Sequence, residues 1–540
     1  EALEDDNIKL KIAAMRGLIA TIDKNEYNID KVISVLKKDI NINNVEIQDN
    51  IIKLSQKIGI KALPILSKAV WDSGFYKIKV NAINVISKIK DEESKLLLVK
   101  LLNHKNRFLR GICAKKLVSN FNLNNMDKDI KNKINENKSL ELIVNQKHPE
   151  ASDENPGTEK LPLKTISKAA ELIKPGDKCI IHKGIYREKV DINTDGTEEE
   201  PLIFKPAKEE EVILTGTEKI DVKWRNFKGN IMVTDVDFEF EQLFADGEMM
   251  VEARWPNATL EQILDRDHWA YAEEGSQPGW MKDKDLAKAG IDASGAIVWM
   301  SVAKQFFSWS RYVEDHKAGE SKFTYPDNLQ GLGGWKDKKH WPEKKGYEAA
   351  RYFLFGKLEL LDKPGEWYLD REKMKLYFWP PEGKEIGDIS LEGKVRDLAF
   401  DIKGDHVQLS GLYFFATTFR YTNCNYGLVE NTHLQYPTYS RIYPDPNPNN
   451  SNTVITSTSM SGNHHTIRRC TLAHSSMTGF EISGSNSLIE DTLVYDVCWN
   501  GSLKYTAIRI DSSKGNNDGS AVVRKNTVYN AGNSLISVGG

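Results

Sequence analysis

The sequence predicts a multidomain protein: an N-terminal α-solenoid, then a right-handed parallel β-helix interrupted by an inserted β-rich domain. Three observations predict it. Five segments share one pattern, apolar at both ends and polar between: LSGLYF (409–414), VENTHL (429–434), IRRCTL (467–472), IEDTLV (489–494) and VRKNTV (523–528). The closest pairs start 20 (Leu409 to Val429) and 22 (Ile467 to Ile489) residues apart, the period of a solenoid stacking one short strand per turn. Residues 1–146 are nearly free of glycine and repeat their apolar residues at helical spacing. Between Ile220 and Asp401 the coil pattern vanishes, and ten of the twelve tryptophans lie there. The expected units are helical repeats over 1–146, a cap and first coils over 147–220, the insertion over 221–400 and further coils over 401–540.

In chain order, 62–70 (ALPILSKAV) precedes 80–89 (VNAINVISKI), and 96–102 (LLLVKLL) precedes 109–118 (LRGICAKKLV). The step of 32 to 34 residues, seen from Ala82 to Ala114 and from Val85 to Leu117, resembles HEAT-type repeats, as does the placement of Arg110 and Ala114. That resemblance implies a docking or spacer role, with a protein partner on the helical face. Residues 132–156 are polar, contain ENPG and read as a linker. A short helix follows, with Ile166, Ala169, Ala170 and Ile173 on one face and Pro175-Gly176-Asp177 as its stop. Strands are expected at 179–182, 201–206 and 211–216. PGEWYLD followed by KLYFWPP reads as a β-hairpin bending at Arg371-Glu372-Lys373.

The run 151–188 (ASDENPGTEKLPLKTISKAAELIKPGDKCIIHKGIYRE) resembles the cap and first coil of bacterial β-helical polysaccharide lyases and glycoside hydrolases, the pectin lyase-like fold. In that family the helix plugs the open end of the solenoid. Segments 243–257 (LFADGEMMVEARWPN) and 358–383 resemble the β-rich domain inserted in the hydrolase branch. The resemblance implies a carbohydrate-active enzyme with a polysaccharide substrate, acting outside the cytoplasm, in the extracellular space or periplasm. A glycoside hydrolase is the first expectation. A polysaccharide lyase acting on a uronate polymer is the second, and a non-catalytic glycan-binding protein the third.

A net charge of −3 argues against a nucleic-acid binder, which would need a concentrated basic face. No apolar run approaches the roughly 20 residues that span a bilayer. The chain starts at Glu1 and stops at SVGG inside the coil pattern, so further sequence is expected beyond it. Five scattered cysteines without a CxxC pair point to buried thiols.

Glycosidic cleavage needs two carboxyl groups flanking the bond. The candidates cluster late: Glu481, Asp491, Asp496 and Asp511, with Arg509 on the same strand face as Asp511. Lys504, Tyr505 and His464 are candidate substrate contacts, and Lys504, Tyr505 and Arg509 would also serve a lyase. Of the adjacent His464 and His465, one is expected exposed and one packed. Trp269, Trp335 and Trp341, in polar loops, are candidate sugar-stacking platforms, whereas most other insertion aromatics belong to its core. No cofactor is expected. Calcium could bind only through the acids of 512–519 (SSKGNNDG), which lack the alternating ligand spacing of a calcium loop.

Overall fold

Asparagine and aspartate side chains start most of the N-terminal helices. Asn7 accepts from the N–H groups of Lys9 and Leu10, Asn44 from those of Glu46 and Ile47, and Asp91 forms a reciprocal capping box with Ser94. The computed structural model describes residues 2–23, 27–123, 126–138, 141–263, 265–302, 307–327, 350–440, 457–499, 505–511 and 521–539. Among these, helices run from Ile8–Thr21 to Lys128–Lys138 around a core of their own, in which Leu54, Ile65, Leu66, Ala82, Ile83, Leu98, Ala114 and Leu117 are buried.

The stretch read as a linker carries regular structure in its first half. Lys128–Lys138 is helical, and Glu141–Val144 is a strand pairing parallel with Lys178–Ile181. The apolar trio Leu142, Ile143 and Val144 buries one edge of the large core, and this outweighs the polarity of its surroundings. The short helix Ile166–Leu172 buries Ile166, Ala169 and Ala170 against the same end, as expected.

The rest of the chain builds three parallel sheets and an insertion. From Val407–Ser410 onward the strands visit the three sheets in rotation, as Val407–Ser410, Tyr413–Phe415 and Thr418–Tyr421 do first and Val522–Arg524, Thr527–Ala531 and Ser534–Gly539 do last. Register aligns Leu409, Val429, Ile467, Ile489 and Val523 in one row of the first sheet. The first four are fully buried and Val523 packs on the same core, so each apolar side chain lies between like neighbours above and below. All five cysteines are free and buried.

Between sheets the chain turns through left-handed residues that also stack in rows. Asn431, Arg469, Asp491 and Lys525 form one such row (φ 51, 52, 51 and 55°); Tyr436, His474, Asp496 and Asn530 form another (φ 54, 57, 52 and 53°). Asp and Asn tolerate this conformation through local hydrogen bonds.

The insertion leaves at Thr217–Lys219 and returns at Leu391–Lys394, which pair antiparallel. Arg187 clamps this base: its Nη2 lies 2.6 Å from Glu392 Oε1, and its Nη1 donates to the Thr217 carbonyl at 2.6 Å. The predicted hairpin is present as Glu366–Asp370 against Lys375–Phe378. Phe244 and Met249 of the insertion pack on Ala416, Tyr436 and Trp499, fixing the insertion over the second parallel sheet. Arg266 extends that contact by donating to the Gly532 carbonyl at 2.7 Å.

Candidate active site

Docking the insertion against the second sheet leaves a cleft of about 1020 Å³. One wall comes from the insertion, residues 247–251, 257–262 and 363–366; the other carries Gln435, Tyr436, His474, Asp496, Trp499 and Asn530. The left-handed row supplies most of this second wall, because the local break in the strand re-aims its side chains.

Asp496 is held at both oxygens. The Asn530 amide donates to Oδ1, and His474 Nδ1 lies 3.4 Å from Oδ2. The Trp499 indole N–H donates to the Asp496 carbonyl at 2.9 Å. His474 stacks on Tyr436 with centroids 5.1 Å apart. Burial holds His474 below the ordinary histidine range, and the nearby Asp496 only partly opposes this.

Glu366 faces the cleft from the start of its strand, where the Pro364-Gly365 turn delivers it beside Val251 of Glu248–Glu252. It is 3% exposed. Its Oε2 accepts from the backbone N–H groups of Asp362 and Lys363 at 3.1 and 3.2 Å, whereas Oε1 is buried without a hydrogen bond. Burial pushes its carboxyl up to about 7, against the lowering effect of those N–H groups. A carboxylic acid still protonated near neutrality can donate a proton.

Of the residues singled out in the sequence, Asp496 lines the cleft. Glu481, Arg509 and Asp511 gather instead on the third sheet, with Arg509 3.9 Å from Glu481 and 3.7 Å from Asp511, and none of the three lines the cleft. Asp491 is an exposed left-handed corner. His464 is exposed and stacks on Tyr426 at 4.5 Å, whereas His465 is buried and its Nδ1 accepts from the Gly427 N–H, the split expected of the pair. Tyr505 is 6% exposed, too buried for a surface contact. Trp269 is no stacking platform: it is 3% exposed and packs edge-on against Phe353 at 4.9 Å. Trp335, Trp341, Lys504 and the loop 512–519 lie outside the described residues. Glu366 and His474 went unread in the sequence. The available signal for Glu366 was an acid set directly before the aromatic and apolar run Trp367-Tyr368-Leu369. Among the described residues, no group of three or more His, Cys, Asp or Glu is arranged to hold a metal ion, and no helix is long and apolar enough to cross a membrane.

Residues 229–381 match the GH141 insertion domain, and this supports a glycoside hydrolase as the class of protein. Over 68 residues the chain is 34% identical to the uncharacterized protein YwoF of Bacillus subtilis (strain 168), a match that spans 13% of this chain and only 14% of that protein. Two solved structures superpose on 74% of the chain. One, titled "Glycoside hydrolase", is 15% identical, with 96% of it covered and a TM-score of 0.46. The other, titled "The complex structure of XylC with xylose", is 16% identical, with 60% of it covered and a TM-score of 0.40.

Proposed function

We propose that the protein hydrolyses glycosidic bonds of a polysaccharide bound in the cleft between the insertion and the second parallel sheet. Glu366 is the general acid that protonates the leaving oxygen. Asp496 is the opposing carboxylate, acting as nucleophile or as base toward water. The observation that carries this reading is that a buried carboxyl raised to about 7 shares one cleft with a second, hydrogen-bonded carboxyl. In this reading the rotating strands form a right-handed parallel β-helix, and residues 1–146 form a HEAT-like docking or spacer unit. The units 147–220, 221–400 and 401–540 divide cap, insertion and later coils. In this reading the substrate is a polymer too large to cross a membrane and is met outside the cytoplasm, in the extracellular space or periplasm.

A β-eliminating lyase would use a Lys or Tyr base beside a free Arg. Tyr505 is buried and Arg509 is shared between Glu481 and Asp511, so the described residues favour hydrolysis. The test is reducing-end release from a panel of polysaccharides by the wild type, Glu366→Gln and Asp496→Asn. Turnover on at least one polymer, lost in both variants, is the expected result; full turnover in either variant overturns the assignment of that residue.

A further inference from the structure

Adjoining the cleft is a second, smaller cavity of about 90 Å³ that shares Met249, Met250, Val251 and Trp499 with it. Its walls are aromatic: Trp269, Trp299, Phe353, Trp367 and Trp499. One cation stands among them. Arg254 is 4% exposed, its guanidinium lies 4.0 Å over the Phe353 ring, and its Nε donates to the Pro256 carbonyl at 3.0 Å. Its Nη2 has no hydrogen-bond partner, and neither does the indole Nε1 of Trp269. Two buried donors, one of them charged, therefore line one small cavity without an acceptor.

Burying a guanidinium away from water is costly unless an acceptor completes its hydrogen bonds. Phe353 offers only its ring face, and the Pro256 carbonyl satisfies only Nε. Two acids, Glu241 and Glu252, also line the cavity and neither is free, while Glu366, whose charge acts on Arg254, lines the larger cleft and makes no hydrogen bond to its Nη2. Gln242 contributes an amide whose Nε2 points to the Met249 sulfur at 2.9 Å and whose Oε1 is unpaired. Turning that amide over exchanges a donor for an acceptor on the cavity side. The site thus offers two fixed donors and one adjustable group.

We propose that this cavity is the subsite for a carboxylate on the sugar bound in the cleft, so that the substrate is a uronic-acid-containing polysaccharide. This inference rests on the cleft being the glycan site. The volume matches about three waters, enough for a carboxylate and too little for a pyranose ring. The ring therefore stays in the cleft and directs its C5 substituent inward. One carboxylate oxygen accepts from Arg254 Nη2–H and the other from Trp269 Nε1–H, and its charge offsets the buried guanidinium. A neutral hydroxymethyl group offers those two donors no charged acceptor, which sets the preference.

The probes are free galacturonate and glucuronate against galactose and glucose, titrated into the full chain and followed by tryptophan fluorescence and by calorimetry. Both or either uronate should bind at least tenfold tighter than its neutral counterpart. Arg254→Gln should abolish that difference, and Trp269→Phe, which keeps a ring against Phe353 and removes only the N–H, should reduce it severalfold. Equal binding of charged and neutral sugars, no uronate binding to the wild type, or unchanged discrimination in Trp269→Phe overturns the proposal. Binding is read without turnover, so the two readings fail separately. Uronate binding without Glu366-dependent cleavage removes only the catalytic assignment. Glu366-dependent cleavage of neutral polymers without uronate binding removes only the subsite.

Discussion

Glu366 and Asp496 line one cleft although they belong to different layers, Glu366 to the mixed sheet of the insertion and Asp496 to the second of the parallel sheets. Their relative position is set by the apolar patch in which Phe244 and Met249 meet Tyr436 and Trp499. Rigid packing of this kind is what a pair of carboxyl groups needs to act on opposite sides of one bond.

Replacing Glu366 by Gln keeps the shape of the side chain and removes the transferable proton. The rate on the right glycan should fall by about 10²- to 10⁴-fold with folding intact. In the wild type, kcat/KM should decline as pH rises through about 7, because the acid is then lost. The variant should lack that limb. A wild-type alkaline limb that persists unchanged in Glu366→Gln would assign the titration to another group.

The same carboxyl makes stability depend on pH. Its folded value, about 7, lies above the unfolded 4.5, so its contribution is fully present below 4.5 and is lost as pH rises toward and through 7. The loss is on the order of 3 kcal/mol. Glu366→Gln should therefore gain stability relative to the wild type between pH 4 and pH 8, read as the difference in denaturant midpoints. A difference that is flat with pH would contradict the buried, protonated state.

Asp496 and Asp511 separate two possible sites. Asp496→Asn should lose activity by orders of magnitude, whereas Asp511→Asn, on the third sheet beside Arg509, should lose less than tenfold. The reverse ranking would move the chemistry to the cluster of Glu481, Arg509 and Asp511.

The coil rows were legible because their physics is local. An inward stack admits only apolar residues, so Leu409, Val429, Ile467 and Ile489 announce themselves through spacing alone. Asp496 was legible as an acid expected on a loop after a strand, and it lies instead at a left-handed break within the strand Leu493–Val497. Glu366 was not, because its burial depends on the pairing of Glu248–Glu252 with Glu366–Asp370, segments far apart in the chain. Trp269 misled for the same reason: it follows the polar run 265–268, yet its ring is covered by Phe353 of the distant strand Arg351–Phe355. The linker reading failed at Glu141–Val144, where four residues are too few to show a period but suffice to extend a sheet.

Ile467 tests the row directly. It is fully buried between Val429 and Ile489, so Ile467→Ala should cost about 2–5 kcal/mol in equilibrium unfolding, and Ile467→Asp should prevent folding at 37 °C. A cost below about 1 kcal/mol for Ile467→Ala would mean that the row is not packed as described.

The strand Glu141–Val144 predicts where the helical region can be removed. The helices have a core separate from that of the sheets, so a chain beginning just before Glu141 should fold and retain activity. A chain beginning at Pro149 loses that strand, exposing the edge of Lys178–Ile181 and uncovering Leu163, whose N–H donates to the Ile143 carbonyl at 2.9 Å. It should be less soluble and melt several degrees lower. Equal melting temperatures for the two truncations would show that the strand adds nothing to the sheet. Insolubility of both, reversed by restoring residues 1–138, would show instead that the helices and the sheets stabilise one another.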